Sequence, residues 1–356
     1  MINFAAMRRS FSRKERGVVM CVGPRPEAEP MRRREFITLL GGAISVWPFA
    51  AHAKEFKAIP KVGFLFPGPE EVAKSRRVPL LDGLRSEGFR EPDQVTLVTR
   101  ATNGDLTRIS PLLNELIAEK VDVLIPTGPP LTRAAHSLTT SVPIVTFDLE
   151  TDPVESGWIQ GYAHPGGNIT GVFSDFPDFS AKWLELLKEA VPDCAHIVVL
   201  WDPTTTTVQT KAIAVVAQQV HVDIEVLEIK GSAELDAVFE TVNARHPDGL
   251  LILSSPAASI FSKRFAELAL KYRMPAISLF SNFARTGGLI SYGPNLEDLY
   301  RETGAMAGKV LNGTKPADLP AERPTRFELI VNLQTAKALN LTMPTSILLR
   351  ADEVIE

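Results

Sequence analysis

The residues best placed to do chemistry stand just after short apolar runs. Pro67-Gly68-Pro69 follows Lys61–Phe66, and Thr127-Gly128-Pro129-Pro130-Leu131-Thr132 follows Val121–Pro126. Asp148, with Glu150 close by, ends Val142–Phe147. Later in the chain, Asp202 and Thr204 to Thr207 follow Trp201, Ser254-Ser255 close one run and Phe280-Ser281 close another. Backbone amides at a helix start beside Thr127, Gly128 and Thr132 suit a ligand carboxylate; a proline-led turn accounts for the same residues. Asp148 suits a ligand ammonium, or a hinge or helix cap. Asp202, Thr204, Ser255 and Phe280 suit a small polar or zwitterionic molecule, and loop hydroxyls also serve turns. The candidate ligand-binding set is therefore Gly68, Thr127, Gly128, Thr132, Asp148, Asp202, Thr204, Ser255 and Phe280.

A catalytic set is not legible. The chain has no phosphate loop ending in Lys-Ser/Thr, no His-Glu-x-x-His, no Gly-x-Ser-x-Gly and no paired cysteine motif. His136, His164, His196, His221 and His246 are scattered without metal-ligand spacing. We expect no catalytic residue, no metal and no cofactor. Cys194 precedes an apolar run and reads as a buried, inert thiol.

The elements that must position these residues alternate. Strands are expected at Lys61–Phe66, Val95–Arg100, Val121–Pro126, Val142–Phe147, His196–Trp201, Ile224–Ile229, Gly249–Ser254, Pro275–Phe280, Gly288–Tyr292 and Phe327–Asn332. Runs such as "VGFLF" and "IVVLW" suit parallel strands covered on both faces. Between them lie amphipathic segments: Leu106–Lys120 with Asp105 as N-cap, Ser180–Val191 closed by Pro192, a segment opening on Ser232, Phe261–Tyr272 and Leu296–Leu311. The alternation runs twice, divided by the Gly- and Pro-rich stretch Asp152–Gly171. This predicts an α/β fold of two doubly wound parallel-sheet lobes joined by a multi-strand hinge. The expected lobes are residues 59–172 with 293–320, and 173–292 with 321–350. Candidate ligand residues then face each other across the cleft, because open α/β sheets bind ligands at the carboxyl ends of their strands.

The first 53 residues read as a leader. Arg32, Arg33 and Arg34 precede a 15-residue apolar run, Phe36–Ala50, and Ala51-His52-Ala53. The run falls short of the roughly 20 residues that span a bilayer, and it resembles a twin-arginine signal peptide with a small-residue cleavage site. Residues 1–30 read as an extension ahead of a start at Met31. Loss of the leader's nine Lys/Arg and four Asp/Glu leaves 29 basic and 38 acidic side chains, a net charge of −9. That balance argues against nucleic acid and anionic membrane partners. Cys21 departs with the leader, so Cys194 has no disulfide partner in the same chain. The triplets at Asn168, Asn312 and Asn340 read as turn chemistry, not glycosylation.

Four stretches resemble one family: "DPVESGWIQGYAHPGGNITGV" (Asp152–Val172), "KWLELLKEAVP" (Lys182–Pro192), Gly287–Pro320 and Pro324–Glu356. They look like the ABC transporter substrate-binding proteins of the tryptophan/tyrosine-uptake type, over nearly all of the chain from Ile59. The resemblance implies a type I periplasmic-binding fold and a periplasmic, monomeric receptor. It implies capture of a small solute, with a hydrophobic or aromatic amino acid or related acid as the candidate class, and delivery to an inner-membrane ABC permease. It places Thr127, Gly128 and Asp148 at the cleft. Trp158, Gln160 and Tyr162-Ala163-His164 depart from the family pattern near the crossover. The alternatives are an exported α/β enzyme acting on a small molecule and a ligand-sensing partner of a membrane receptor.

Overall fold

The computed structural model describes residues 58–174 and 176–356; the expected leader, residues 1–53, lies outside them. Five parallel strands form the first sheet: β1 (Lys61–Phe66), β2 (Thr96–Ala101), β3 (Val123–Pro126), β4 (Ile144–Asp148) and β5 (Ile169–Phe173), in the order β2-β1-β3-β4-β5. Between them run α1 (Glu70–Ser86), α2 (Ile109–Ala118) and α3 (Pro129–Leu138). The second sheet has seven strands: β6 (His196–Trp201), β7 (Asp223–Glu228), β8 (Gly249–Ile252), β9 (Ala276–Ser278), β10 (Ile290–Pro294), β11 (Phe327–Asn332) and β12 (Glu353–Ile355). Their order is β12-β11-β10-β9-β8-β6-β7. Its helices are α4 (Phe176–Ala190), α5 (Val208–Gln219), α6 (Leu235–Arg245), α7 (Pro256–Ile260), α8 (Ser262–Lys271) and α9 (Ser281–Arg285), with α11 (Leu333–Ala338) and α12 (Thr345–Arg350) near the C-terminus.

The central strands are apolar on both faces because helices cover both. In β1, Phe64 packs into one cluster with Val62 and Phe66, while Leu65 joins Leu113 and Leu116 on the opposite side. One remaining helix, α10 (Leu296–Leu311), follows β10 of the second sheet but packs on α1 of the first lobe. The crossing is made by glycine. A Cβ on Gly83 would lie 2.0 Å from the Arg301 carbonyl oxygen, and one on Gly304 would lie 2.2 Å from that of Leu80. The chain then skirts β5: the Thr170 hydroxyl donates to the Leu319 carbonyl at 2.8 Å, and Glu322 bridges to Val172. It returns to the second sheet at β11. The polypeptide therefore passes between the lobes three times, which is the geometry of a hinge.

The structure differs from the sequence reading in several places, beginning with β12, a strand beyond the last one expected. β5 falls partly within the stretch read as a loop. Its Gly171 suggests a turn, yet it lies beside β4, where a Cβ would sit 1.9 Å from the Thr146 carbonyl oxygen. The strand needs glycine there for close backbone approach. β11 pairs antiparallel with β10, since it enters the sheet after the excursion through α10. Leu106, placed on the apolar face of a helix, is 50% exposed. Asp105 instead caps a short 3₁₀ turn, accepting from Thr107 N at 2.9 Å, and the α-helix starts at Ile109.

The contact between α1 and α10 should tolerate no side chain. Gly83→Val or Gly304→Val should force the helix backbones apart and reduce stability by at least about 2 kcal/mol, read as a lowered midpoint of urea unfolding. An unchanged midpoint would refute the close crossing.

Candidate functional site

The carboxyl ends of β1, β3 and β4 face those of β6 and β8 across the gap between the lobes. A cavity of about 40 Å³ lies there, lined from the first lobe by Phe66, Pro67, Thr127, Gly128, Phe147, Leu149 and Glu150. Ser255, Pro256, Ser259, Ile260 and Phe280 line it from the second lobe, and Leu296 and Tyr300 from α10. A second cavity of about 370 Å³ adjoins it, sharing Pro67, Pro256 and Ile260. Its walls add Asn103, Gly104, Leu106, Asp202, Thr204, Lys230 and Phe261, among others. The inner cavity is walled by aromatic and aliphatic groups; the outer one has more polar lining.

The lobes touch directly around these cavities. Gly128 has φ +81°, a conformation that favours glycine, and a Cβ there would lie 3.3 Å from Pro256 of the other lobe. A Cβ on Gly68 would lie 2.9 Å from Ile260. The strongest link is Glu150. Its Oε1 accepts the Ser254 hydroxyl at 2.5 Å, and its backbone carbonyl accepts the Thr206 hydroxyl at 2.6 Å. Ser254 is itself held by Gln209, whose amide makes two 2.8 Å bonds to the Ser254 backbone. Behind Glu150, the Asp148 carboxylate accepts Glu150 N at 2.9 Å and the Thr151 hydroxyl at 3.0 Å.

Both carboxyl groups are buried. Loss of solvent pushes Asp148 up to about 6, partly offset by the hydrogen bonds from Glu150 and Thr151. Burial raises Glu150 well above the usual carboxylate range, and the adjacent Asp148 charge raises it further. No Lys, Arg or His lines the inner cavity. Tyr300 stands edge-on to Phe147 with ring centroids 4.8 Å apart, and the Arg76 guanidinium lies 5.7 Å from the Tyr300 ring centre. Burial raises the Tyr300 phenol, which also hydrogen-bonds Thr127.

Of the residues selected from sequence, Thr127, Gly128, Ser255 and Phe280 line the inner cavity, while Asp202 and Thr204 line the outer one. Asp202 is occupied locally, accepting Thr204 N at 2.9 Å and its hydroxyl at 2.7 Å. Gly68 contributes at the lobe contact. Thr132 and Asp148 are not brought to either cavity wall. The Thr132 hydroxyl donates to the Gly128 carbonyl at 3.0 Å and meets the Thr146 hydroxyl at 2.9 Å. Glu150 takes the cavity position instead, because the chain turns inward two residues beyond the end of β4. The same rule that selected strand ends could have selected Phe66, Phe147 and Glu150. Tyr300 had no such signal: it arrives on a helix from a distant part of the chain. Among the described residues no group of three or more metal-ligating side chains gathers. Cys194 is buried, and burial pushes its thiol up to about 11.

A family model described as "ABC transporter substrate binding protein" matches residues 72–355. The chain belongs to that family. A tyrosine-binding protein of Clostridioides difficile (strain R20291) is 24% identical over 269 residues, covering 73% of this chain and 75% of that protein. Among solved structures, an ABC domain from Streptococcus pneumoniae in complex with L-Trp matches with a TM-score of 0.77 at 23% identity, over 83% of this chain and 99% of that one. The ligand-free, open structure of a Clostridium difficile substrate-binding protein with adhesive properties matches at 0.62 and 23%, over 84% and 99%. These structures share the two-lobed periplasmic-binding fold with this substrate-binding protein. Among its described residues no helix is long and apolar enough to cross a membrane.

The buried acid pair sets a pH dependence. Both groups are held above their unfolded values, so the folded chain retains protons that the unfolded chain releases. Stability should therefore fall as pH rises from the ordinary carboxylate range through about 6 and above. Glu150→Gln keeps an acceptor for Ser254 and offers Asp148 a donor. It should raise the melting temperature at pH 8 and flatten the slope between pH 5 and 8 in thermal denaturation; an unchanged slope would show that Glu150 does not carry it.

Proposed function

We propose that this substrate-binding protein captures a small organic solute in the cleft between its lobes and delivers it, without transforming it, to an ABC permease in the inner membrane. In this reading the protein acts as a periplasmic monomer, exported by the twin-arginine route and trimmed of residues 1–53. Its lobes are then residues 59–172 with 293–320 and residues 173–292 with 321–350. The observation that carries the reading is the Glu150 bridge, in which a first-lobe carboxyl group accepts a second-lobe hydroxyl at 2.5 Å within the cavity wall. A ligand in contact with both walls favours the closed arrangement by its differential affinity for that arrangement.

The sequence-derived ligand set of Gly68, Thr127, Gly128, Thr132, Asp148, Asp202, Thr204, Ser255 and Phe280 is narrowed by this reading. Glu150, Thr127, Ser255, Phe280 and Tyr300 meet the inner part of the ligand, Asp202 and Thr204 meet the outer part, and Asp148 and Thr132 support the wall from behind. The aromatic lining favours a solute with an apolar or aromatic portion. Hydrophobic and aromatic amino acids and related acids belong in the first panel, given that the relatives above are named for tyrosine and L-Trp.

A thermal-shift screen of the full chain against such compounds should find one that raises the melting temperature. At a hundredfold excess over Kd, a ligand specific to the native state adds about 2.7 kcal/mol, a shift of several degrees for a small domain and less for this chain. Small-angle scattering should show unchanged or greater compaction, and mass spectrometry should recover the compound intact. Conversion of the compound would overturn the receptor reading in favour of an enzyme.

A further inference from the structure

The two cavities differ in charge. Glu150 lines the inner one, with Asp148 behind it, and no cationic side chain stands in that lining. A ligand carboxylate placed there would face a carboxyl group. The flanking helix starts offset this little. Helix α3 opens on Pro129-Pro130, which have no N–H, Gly128 N is taken by the Phe147 carbonyl at 3.1 Å, and Thr132 N by the Gly128 carbonyl at 3.1 Å. Helix α7 opens on Pro256, and Ser255 Oγ caps it by accepting from Ala258 N at 3.0 Å. What remains is Leu131 N and neutral hydroxyls.

The outer cavity is different. Among the described residues, Lys230 is the one cationic side chain in the lining of either cavity. It leaves the end of β7 beside Asp202, which leaves the end of β6; the two strands are still joined at Ile229 N, which donates to the Trp201 carbonyl at 2.8 Å. Opposite charges therefore stand at neighbouring strand ends on one wall. Neither is tied up. Both Thr204 bonds to Asp202 end on Oδ1, so Oδ2 has no partner among the described residues, although Asp202 is only 9% exposed. The ion partner of Lys230 is Glu228 at 3.7 Å, between side chains 64% and 53% exposed, and such pairs hold weakly. From the first lobe the same cavity is lined by Asn103, whose Oδ1 accepts from Glu70 N at 3.1 Å and whose side-chain N–H groups have no partner among the described residues.

We propose that an amino-acid ligand lies across both cavities with its side chain inward, and that Lys230 is the residue that reads its α-carboxylate. This rests on the receptor reading above and names the residues that recognise the charged end of the ligand. The cavities share Pro67, Pro256 and Ile260, so one molecule can occupy both. The side chain meets the rings of Phe66, Phe147, Phe280 and Tyr300. The α-ammonium meets Asp202 Oδ2, and the carboxylate meets Lys230 from the second lobe and the Asn103 amide from the first. A carboxylate so placed bridges the lobes, and enclosure strengthens its pairing with Lys230 by removing water.

The test is isothermal calorimetry on the full chain with L-phenylalanine, L-tyrosine and L-tryptophan, each against its primary amide, at about pH 6 where both α-ammonium groups are charged. At least one amino acid should bind about tenfold or more tightly than its amide. Lys230→Gln should weaken that amino acid by about tenfold while leaving the amide within about twofold, so that the gap between them closes. Lys230→Arg should preserve the gap, and neither change should lower the melting temperature of the ligand-free chain, since the side chain is exposed. Equal loss for acid and amide would assign Lys230 a structural role and overturn the proposal. An amide that binds as tightly as its acid, or a Lys230→Gln variant that binds the acid unchanged, would also overturn it; in each of these cases the receptor reading stands. Failure of every probe to bind would overturn the proposal and count against the receptor reading as well.

Discussion

A carboxyl group enclosed by two lobes is the constraint from which the rest of the site follows. Glu150 leaves β4 on the first lobe and is met by Ser254 and Thr206 of the second. Its surroundings offer hydroxyl donors but no compensating cation. Taking a charge out of water without a counter-charge is costly, and the group responds by holding a proton. A residue in this position is sensitive to anything that brings charge or water into the cleft. Its bonds join the two lobes, and it lines the cavity between them.

The architecture keeps that group at the boundary. Parallel sheets with helices on both faces direct their strand ends to one side, and here the strand ends of two such sheets point at each other. The chain crosses between lobes three times, so rotation about the crossings can change the gap without unpacking either sheet. Helix α10 ties the lobes further. It leaves β10 of the second sheet, packs against α1 of the first through Gly83 and Gly304, and brings Tyr300 to the cavity. One helix thus contributes to the core, to the crossing and to the site.

Membership in the substrate-binding protein family explains the frame but does not set the chemistry within it. The wall of the inner cavity is made by rings at the ends of β1 and β4 and at the start of α9, which also belong to the buried core, and by a carboxyl group on a loop. The proline pair that opens α3 and the single proline that opens α7 have a double effect. They start the helices without wasting an amide, and they withdraw amide donors from the cleft.

The alternation of apolar runs with amphipathic segments was enough to determine two doubly wound lobes, since buried parallel strands and half-buried helices leave distinct periodicities. Helix Leu296–Leu311 and strand Phe327–Asn332 were legible to the residue. Strand ends were legible as the place where the cavity between the lobes is lined, which is why Thr127, Gly128, Ser255 and Phe280 were selected from sequence. β5 was hidden by Gly171, because close backbone approach and a turn call for the same residue. The choice between Asp148 and Glu150 was also beyond local pattern, since two residues past a strand end a side chain can face the cleft or the core. Tertiary structure alone decided that Glu150 faces inward, that Tyr300 joins it from more than a hundred residues away, and that the hydroxyl opposite belongs to Ser254. Local periodicity reports which face of an element avoids water; which distant element covers that face, and which charges it brings, depends on packing that no single segment encodes.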